Sequence, residues 1–146
     1  MDIGGGSTEF IIANKTGPTW MKSFDLGASR ILENLQASDP LSSKDISKLN
    51  AWLEEDLQSL FNACKEYKPQ ILLGSSGSFD TLANMQFQMK LATGYISDNH
   101  YPLPLKAFYR IKESLLELNL EDRLKLPGML ACLLYTSPSP RDLSTS

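Results

Sequence analysis

Hydrophobic and polar positions along this chain change period several times, and each change marks an element. Glu9-Phe10-Ile11-Ile12-Ala13 and Thr19-Trp20-Met21-Lys22-Ser23-Phe24 are short β-prone runs on either side of Asn14-Lys15-Thr16-Gly17-Pro18, which predicts an antiparallel hairpin. Leu26-Gly27-Ala28 then leads into a helix with Ile31, Leu32 and Leu35 at helical spacing, ended by Ser38-Asp39-Pro40. The clearest helical pattern runs from Ser43 to Glu66. Ile46, Leu49, Trp52, Leu53, Leu57, Leu60, Phe61 and Cys64 form its apolar face, opposite Lys44, Lys48, Glu55 and Gln58. Ser42 and Asp45 resemble a capping box, and Pro69 stops the helix. Gln70-Ile71-Leu72-Leu73 predicts a short buried strand, entering the turn Gly74-Ser75-Ser76-Gly77-Ser78 and a helix with Phe79, Leu82, Ala83 and Phe87 on one side. After a loop-like stretch from Ala92 to Pro104, a helix over Leu105 to Leu118 presents Phe108, Ile111, Leu115 and Leu118. Asn119-Leu120-Glu121-Asp122 then caps a shorter helix ending near Pro127-Gly128.

The chemistry concentrates ahead of the hairpin, in Asp2-Ile3-Gly4-Gly5-Gly6-Ser7-Thr8-Glu9. Three adjacent glycines expose backbone N–H groups with no side chain to block a bulky anion, which outlines a phosphate cradle. Asp2 and Glu9 bring negative charge to that cradle, a combination that makes sense with a divalent cation between carboxylate and phosphate. The second glycine turn, Gly74 to Gly77, joins a strand to a helix and suits the same purpose. The competing reading makes both turns tight connections only.

Composition narrows the partners. The chain has 146 residues, 42% hydrophobic and 21% charged, with a formal net charge of −3. A net negative chain is a poor general binder of polyanions, so phosphate selectivity has to come from local geometry, and nucleic acid is not an expected partner. No apolar run approaches the ~18 residues of a membrane span, and no export signal is visible, so a cytoplasmic location is expected. Cys64 and Cys132 lack metal-type spacing, and Cys64 reads as a buried helix thiol. His100 is the only histidine and reads as a solvated loop residue. From Cys132 onward the chain turns Ser/Pro-rich, and Cys132 to Asp142 matches one reading frame of a common transposase-type sequencing adaptor. Residues 132–146 are therefore expected to be a non-native disordered tail after native sequence ending near Ala131.

Three separated stretches resemble the exopolyphosphatase/guanosine pentaphosphate phosphohydrolase (Ppx/GppA) family of the actin-like ATPase superfamily. They are Asp2 to Glu9, Ser23-Phe24-Asp25-Leu26-Gly27-Ala28-Ser29-Arg30, and Leu73-Gly74-Ser75-Ser76-Gly77-Ser78-Phe79. Leu124 to Leu130 looks like the start of a fourth. The resemblance implies an α/β fold in which two ribonuclease-H-like domains face each other across a cleft. Residues 1–131 would be the second domain, incomplete, with upstream sequence missing. It implies that Gly4, Gly5, Gly6, Ser7 and Thr8 donate to a phosphate chain, and that Asp2 and Glu9 hold or orient Mg2+. Gly74, Ser75, Ser76 and Gly77 would line the cleft. Arg30 would pair with phosphate or form a salt bridge within the domain. The expected reaction is removal of a terminal phosphate from polyphosphate or guanosine pentaphosphate by in-line attack of water. Its catalytic base is expected in the first domain, so this chain alone would be inactive. An actin-like or sugar-kinase ATP-binding domain and a non-catalytic sensor are the alternatives. Preference between polyphosphate and the guanosine compounds, and a homodimer of the full-length protein, stay open.

Overall fold

Alternation in the hairpin sorts its side chains onto two faces, and only one is covered. In the computed structural model, which describes residues 1–91 and 100–129, β1 (Asp2–Ile3), β2 (Thr8–Asn14) and β3 (Gly17–Phe24) form an antiparallel sheet in the order β1-β2-β3. Asp2 pairs with Glu9, and Glu9 with Ser23; Thr8 pairs with Phe24, and Ile12 with Trp20. Because side chains alternate, Thr8, Phe10, Ile12, Trp20 and Phe24 share the inner face. Asp2, Glu9, Ile11, Met21 and Ser23 share the outer one. The connection is shorter than the sequence pattern suggested, since Asn14 already pairs with Gly17. Asn14 Oδ1 accepts from the Thr16 amide at 2.8 Å, which closes the turn. Pro18 is accommodated because β3 is the outer strand and the register slips between Ile12 and Ala13.

The inner face meets three helices. These are α1 (Ala28–Leu35), α2 (Ser43–Asp56) and α3 (Gln58–Tyr67). Buried Phe24, Leu26 and Leu60 form the core, with Phe10, Trp20, Ile31, Trp52, Leu53, Leu57 and Cys64 packed against them. Phe10 meets Phe24 edge-on with ring centroids 5.8 Å apart. The apolar stripe expected of one long helix is thus present on two, because the backbone at Leu57 (φ −87°, ψ 8°) leaves helical geometry for one residue. Ladder bonds from Leu57 N to Leu53 O and from Phe61 N to Leu57 O, both 3.0 Å, carry the stripe across.

The expected buried strand at Gln70 to Leu73 is not formed. Ile71, Leu72 and Leu73 are 78%, 67% and 72% exposed, and pairing with β1 is limited to a single parallel bridge, Asp2 to Ser75. An apolar run forms a buried strand only when neighbours cover its faces, and the described residues supply one short neighbour, β1.

Among the described residues, 1–37 and 43–76 make one unit, and 38–42, 77–91 and 100–129 make another. The second contains α4 (Gly77–Gln88), α5 (Leu105–Glu117) and α6 (Leu120–Leu124). On α5 Ile111 is buried as expected, with Phe108, Leu115 and the C-cap residue Leu118 half-buried and Ala107 buried beside them, and the Asn119 side chain caps α6 by accepting from Asp122 N at 2.9 Å. The α4 face differs from expectation: Thr81, Met85 and Gln86 are buried, whereas Phe87 is 71% exposed. Gly128 explains the shift. Its carbonyl accepts from Asn84 Nδ2 at 2.9 Å, and a Cβ placed on it would lie 2.7 Å from the Met85 backbone. Gln86 Nε2 donates to Pro102 O, also at 2.9 Å. Among the described residues no helix is long and apolar enough to cross a membrane. The tail expected after residue 131, with Cys132, lies outside the described residues; His100 is exposed.

Candidate functional site

The glycine loop is held from below by the segment that follows the hairpin. Gly4 O accepts from Ala28 N at 3.0 Å, and Gly5 O from Ser29 N at 2.9 Å, so two loop carbonyls satisfy amides at the start of α1. The approach is close enough to require Gly27, where a Cβ would stand 2.2 Å from Gly5 O and 2.3 Å from Gly6 C. Gly27 has ordinary extended angles, φ −77° and ψ 159°, so contact rather than backbone conformation demands glycine there.

With its carbonyls turned to α1, the loop leaves donors outward. Gly4 N donates to Ser7 O at 2.9 Å, while the amides of Gly5, Gly6 and Ser7 have no hydrogen-bond partner among the described residues. Gly5 and Gly6 are exposed, and a Cβ at Gly6 would meet nothing within 4 Å. Successive unpaired amides beside open space make a concavity suited to an anion.

The two carboxylates expected at the loop are brought side by side, as directly opposed partners on the outer face of β1 and β2. Like charges in that position disfavour each other. Glu9 Oε1 accepts from Ser7 Oγ at 2.5 Å and from Ser23 Oγ at 2.8 Å. These bonds, Ser7's first, hold the Glu9 carboxyl below its usual range, against smaller upward effects of desolvation and the Asp2 charge. No group of three or more metal-type side chains occurs among the described residues. Two carboxylates suit Mg2+, which commonly takes one or two protein carboxylates and completes its shell with phosphate oxygens and water.

Other expected residues are placed differently. Thr8 is buried and its hydroxyl donates to Leu26 O at 2.8 Å, so that hydroxyl joins the hairpin to the loop's support and is not a phosphate donor. Arg30 puts its guanidinium 3.5 Å from Asp25, the salt-bridge option, with both side chains largely in solvent. Gly74, Ser75 and Ser76 lie beside β1: Ser75 N donates to Met1 O at 3.0 Å, and Ser76 Oγ to Ile3 O at 3.2 Å. Ser76 has φ +80°, a conformation uncommon for a residue with a side chain. Gly77 begins α4 and belongs to the second unit. Two residues went unassigned from sequence. Gly27 and Ser23 both sit in the second motif, but their roles depend on backbone approach and strand register.

The family profile for Ppx/GppA phosphatases matches residues 1–131. The chain belongs to the Ppx/GppA phosphatase family. Exopolyphosphatase 1 of Mycobacterium leprae is 30% identical over 95 residues, covering 64% of this chain and 28% of that protein. A solved exopolyphosphatase from Cytophaga hutchinsonii is 36% identical with a TM-score of 0.81, covering 89% of this chain and 42% of that one. A solved Ppx/GppA phosphatase from Aquifex aeolicus, 20% identical with a TM-score of 0.66, agrees in fold over 88% of this chain and 41% of its own. These Ppx/GppA relatives carry the actin-like ATPase fold expected from the sequence. The chain spans less than half the length of each of them.

Proposed function

We propose that this chain supplies the phosphate-gripping part of a phosphohydrolase that removes terminal phosphate from inorganic polyphosphate or guanosine pentaphosphate. The observation that carries the reading is the row of unpartnered amides at Gly5, Gly6 and Ser7, opening beside Asp2 and Glu9. The amides bind and orient phosphate oxygens, and the Gly6 side of the loop leaves room for the next phosphate of a chain. Asp2 and Glu9 would hold Mg2+ or its waters, and the ion would supply charge neutralisation on the transferred phosphoryl group. Ser75 bridges to Asp2 on the same strand, and Gly74, Ser75 and Ser76 would line the cleft toward more distal phosphates.

Glu9 is an unsuitable base for activating water, since two hydroxyl donors hold it below the usual carboxylate range. The family resemblance implies a base in the first domain of the full-length protein, and that remains the expectation. Loss of a general base removes about 100- to 10,000-fold in rate, so the chain alone releases phosphate from polyphosphate with Mg2+ only marginally. Turnover at the rate of a full-length relative would overturn that expectation. Binding separates the alternatives: long polyphosphate should compete with guanosine pentaphosphate for the loop, and saturable ATP binding displaced by ADP but not by polyphosphate would favour a nucleotide-binding domain.

A further inference from the structure

We propose that Ser23 is a positioning residue for the Glu9 carboxylate, holding Oε1 so that Oε2 remains available to the divalent cation shared with Asp2. The proposal rests on the reading of Asp2 and Glu9 as cation partners. Its basis is register: Asp2, Glu9 and Ser23 stand opposite one another on three consecutive strands. Glu9 is thus flanked by a carboxylate on the β1 side and a hydroxyl on the β3 side. The Ser23 hydroxyl donates to Oε1 at 2.8 Å, and Ser7 donates to that same oxygen. Oε2 takes no hydrogen bond among the described residues.

The two donors differ in what carries them. Ser7 belongs to the glycine loop, the part that has to accept phosphate, and a phosphate oxygen competes with Glu9 for its hydroxyl. Ser23 lies in a regular strand bonded to β2 through the hairpin, away from that competition. When phosphate recruits Ser7, Ser23 is the donor that keeps Glu9 in place. Repulsion from Asp2 would otherwise be relieved by rotating the Glu9 side chain into solvent, which separates the two oxygens a cation needs. A serine that merely filled an exposed strand position would hydrogen-bond to water and leave Glu9 free to turn.

The test uses the whole chain and Mn2+ alone as the probe, reading paramagnetic broadening of the Asp2 to Glu9 amide resonances during titration. Ser23→Ala should need about three- to tenfold more Mn2+ for half-broadening, the effect of losing one hydrogen bond to the ligand. Ser23→Thr, which keeps the hydroxyl and suits a strand, should restore the native titration, a rescue that a purely structural role does not predict. The remaining amide spectrum should be unchanged in both variants. Native Mn2+ response in Ser23→Ala, or failure of Ser23→Thr to restore it, overturns the proposal. Glu9→Gln distinguishes the two levels. If it abolishes the response while Ser23→Ala does not, only the role of Ser23 fails; if it leaves the response intact, the cation reading falls and the proposal with it.

Discussion

Replacing Gly27 with alanine adds a single methyl group at the point where two backbone segments meet. Gly27 already has extended angles that alanine adopts freely, so the substitution isolates contact from conformational strain. The new Cβ would lie 2.2 Å from Gly5 O, and reaching the 3.4 Å of ordinary contact requires about 1.2 Å of separation. All three nearest atoms are backbone, so no side chain can swing aside. Separation by that amount stretches Ala28 N to Gly4 O and Ser29 N to Gly5 O, now 3.0 and 2.9 Å, beyond hydrogen-bonding range. Overpacking costs about 1–3 kcal/mol and each lost backbone bond about 1 kcal/mol, and since one relieves the other the net loss is about 2–4 kcal/mol. Both tryptophans, Trp20 and Trp52, pack in the core of the unit that carries the loop, so their fluorescence reports its unfolding. The urea midpoint should fall by roughly 1–2 M. Polyphosphate binding below the transition should weaken too, because the amides are no longer held in one arc. An unchanged midpoint together with native chemical shifts for Gly4 to Ser7 would refute the argument that Gly27 braces the loop.

Gly6→Ala should behave in the opposite way: with no atom within 4 Å of the new Cβ, stability changes by less than about 0.5 kcal/mol while polyphosphate affinity drops, and equal affinity would show that phosphate does not approach there. Gly128→Ala places a Cβ 2.7 Å from Asn84 O and Met85 at φ +83°, so α4 and α5 should melt earlier by about 2–4 kcal/mol in hydrogen exchange, without altering the Gly4 to Ser7 amides. The Glu9 carboxyl, depressed in the folded chain, contributes stability that is complete above its unfolded pKa and lost as pH falls through the lower folded value. A carboxyl titration by NMR should therefore place the Glu9 midpoint below that of an exposed glutamate, and Ser7→Ala should raise it more than Ser23→Ala does, since the Ser7 bond is the larger cause. The reverse order would show that Ser7 is not the main donor.

How much was legible before the structure depended on whether a feature is encoded by period or by proximity. The hairpin was readable because two β-prone runs flank a connection rich in Asn, Gly and Pro, whereas which face is covered was not, since Ile11 and Met21 are as apolar as the inward residues and lie exposed. Phe108, Ile111 and Leu115 on α5 were readable from their helical spacing. Ile71 to Leu73 misled because an apolar run states a preference for burial and says nothing about what supplies it. The buried face of α4 misled because Gly128, more than forty residues away in sequence, selects it by backbone contact.

The glycines give the same division a functional meaning. Gly27 is required by backbone at 2.2 Å, and Gly128 by backbone at 2.7 Å together with its φ of +83°, so the fold itself accounts for their lack of a side chain. Gly4 and Gly5 are tight, with nearest contacts at 3.3 and 3.2 Å, and their carbonyls serve α1. Gly6 is explained by none of this: its angles do not demand glycine and its surroundings are open. A loop whose carbonyls serve a helix start while adjacent amides stay free, beside a glycine that packing does not require, fits the proposed grip on a phosphate. The opposed carboxylates of Asp2 and Glu9 point the same way, because two like charges in register disfavour each other and a cation joining them, as proposed above, would relieve that repulsion. Anion donors and cation acceptors at one strand end are the requirements of a metal-bound phosphate chain.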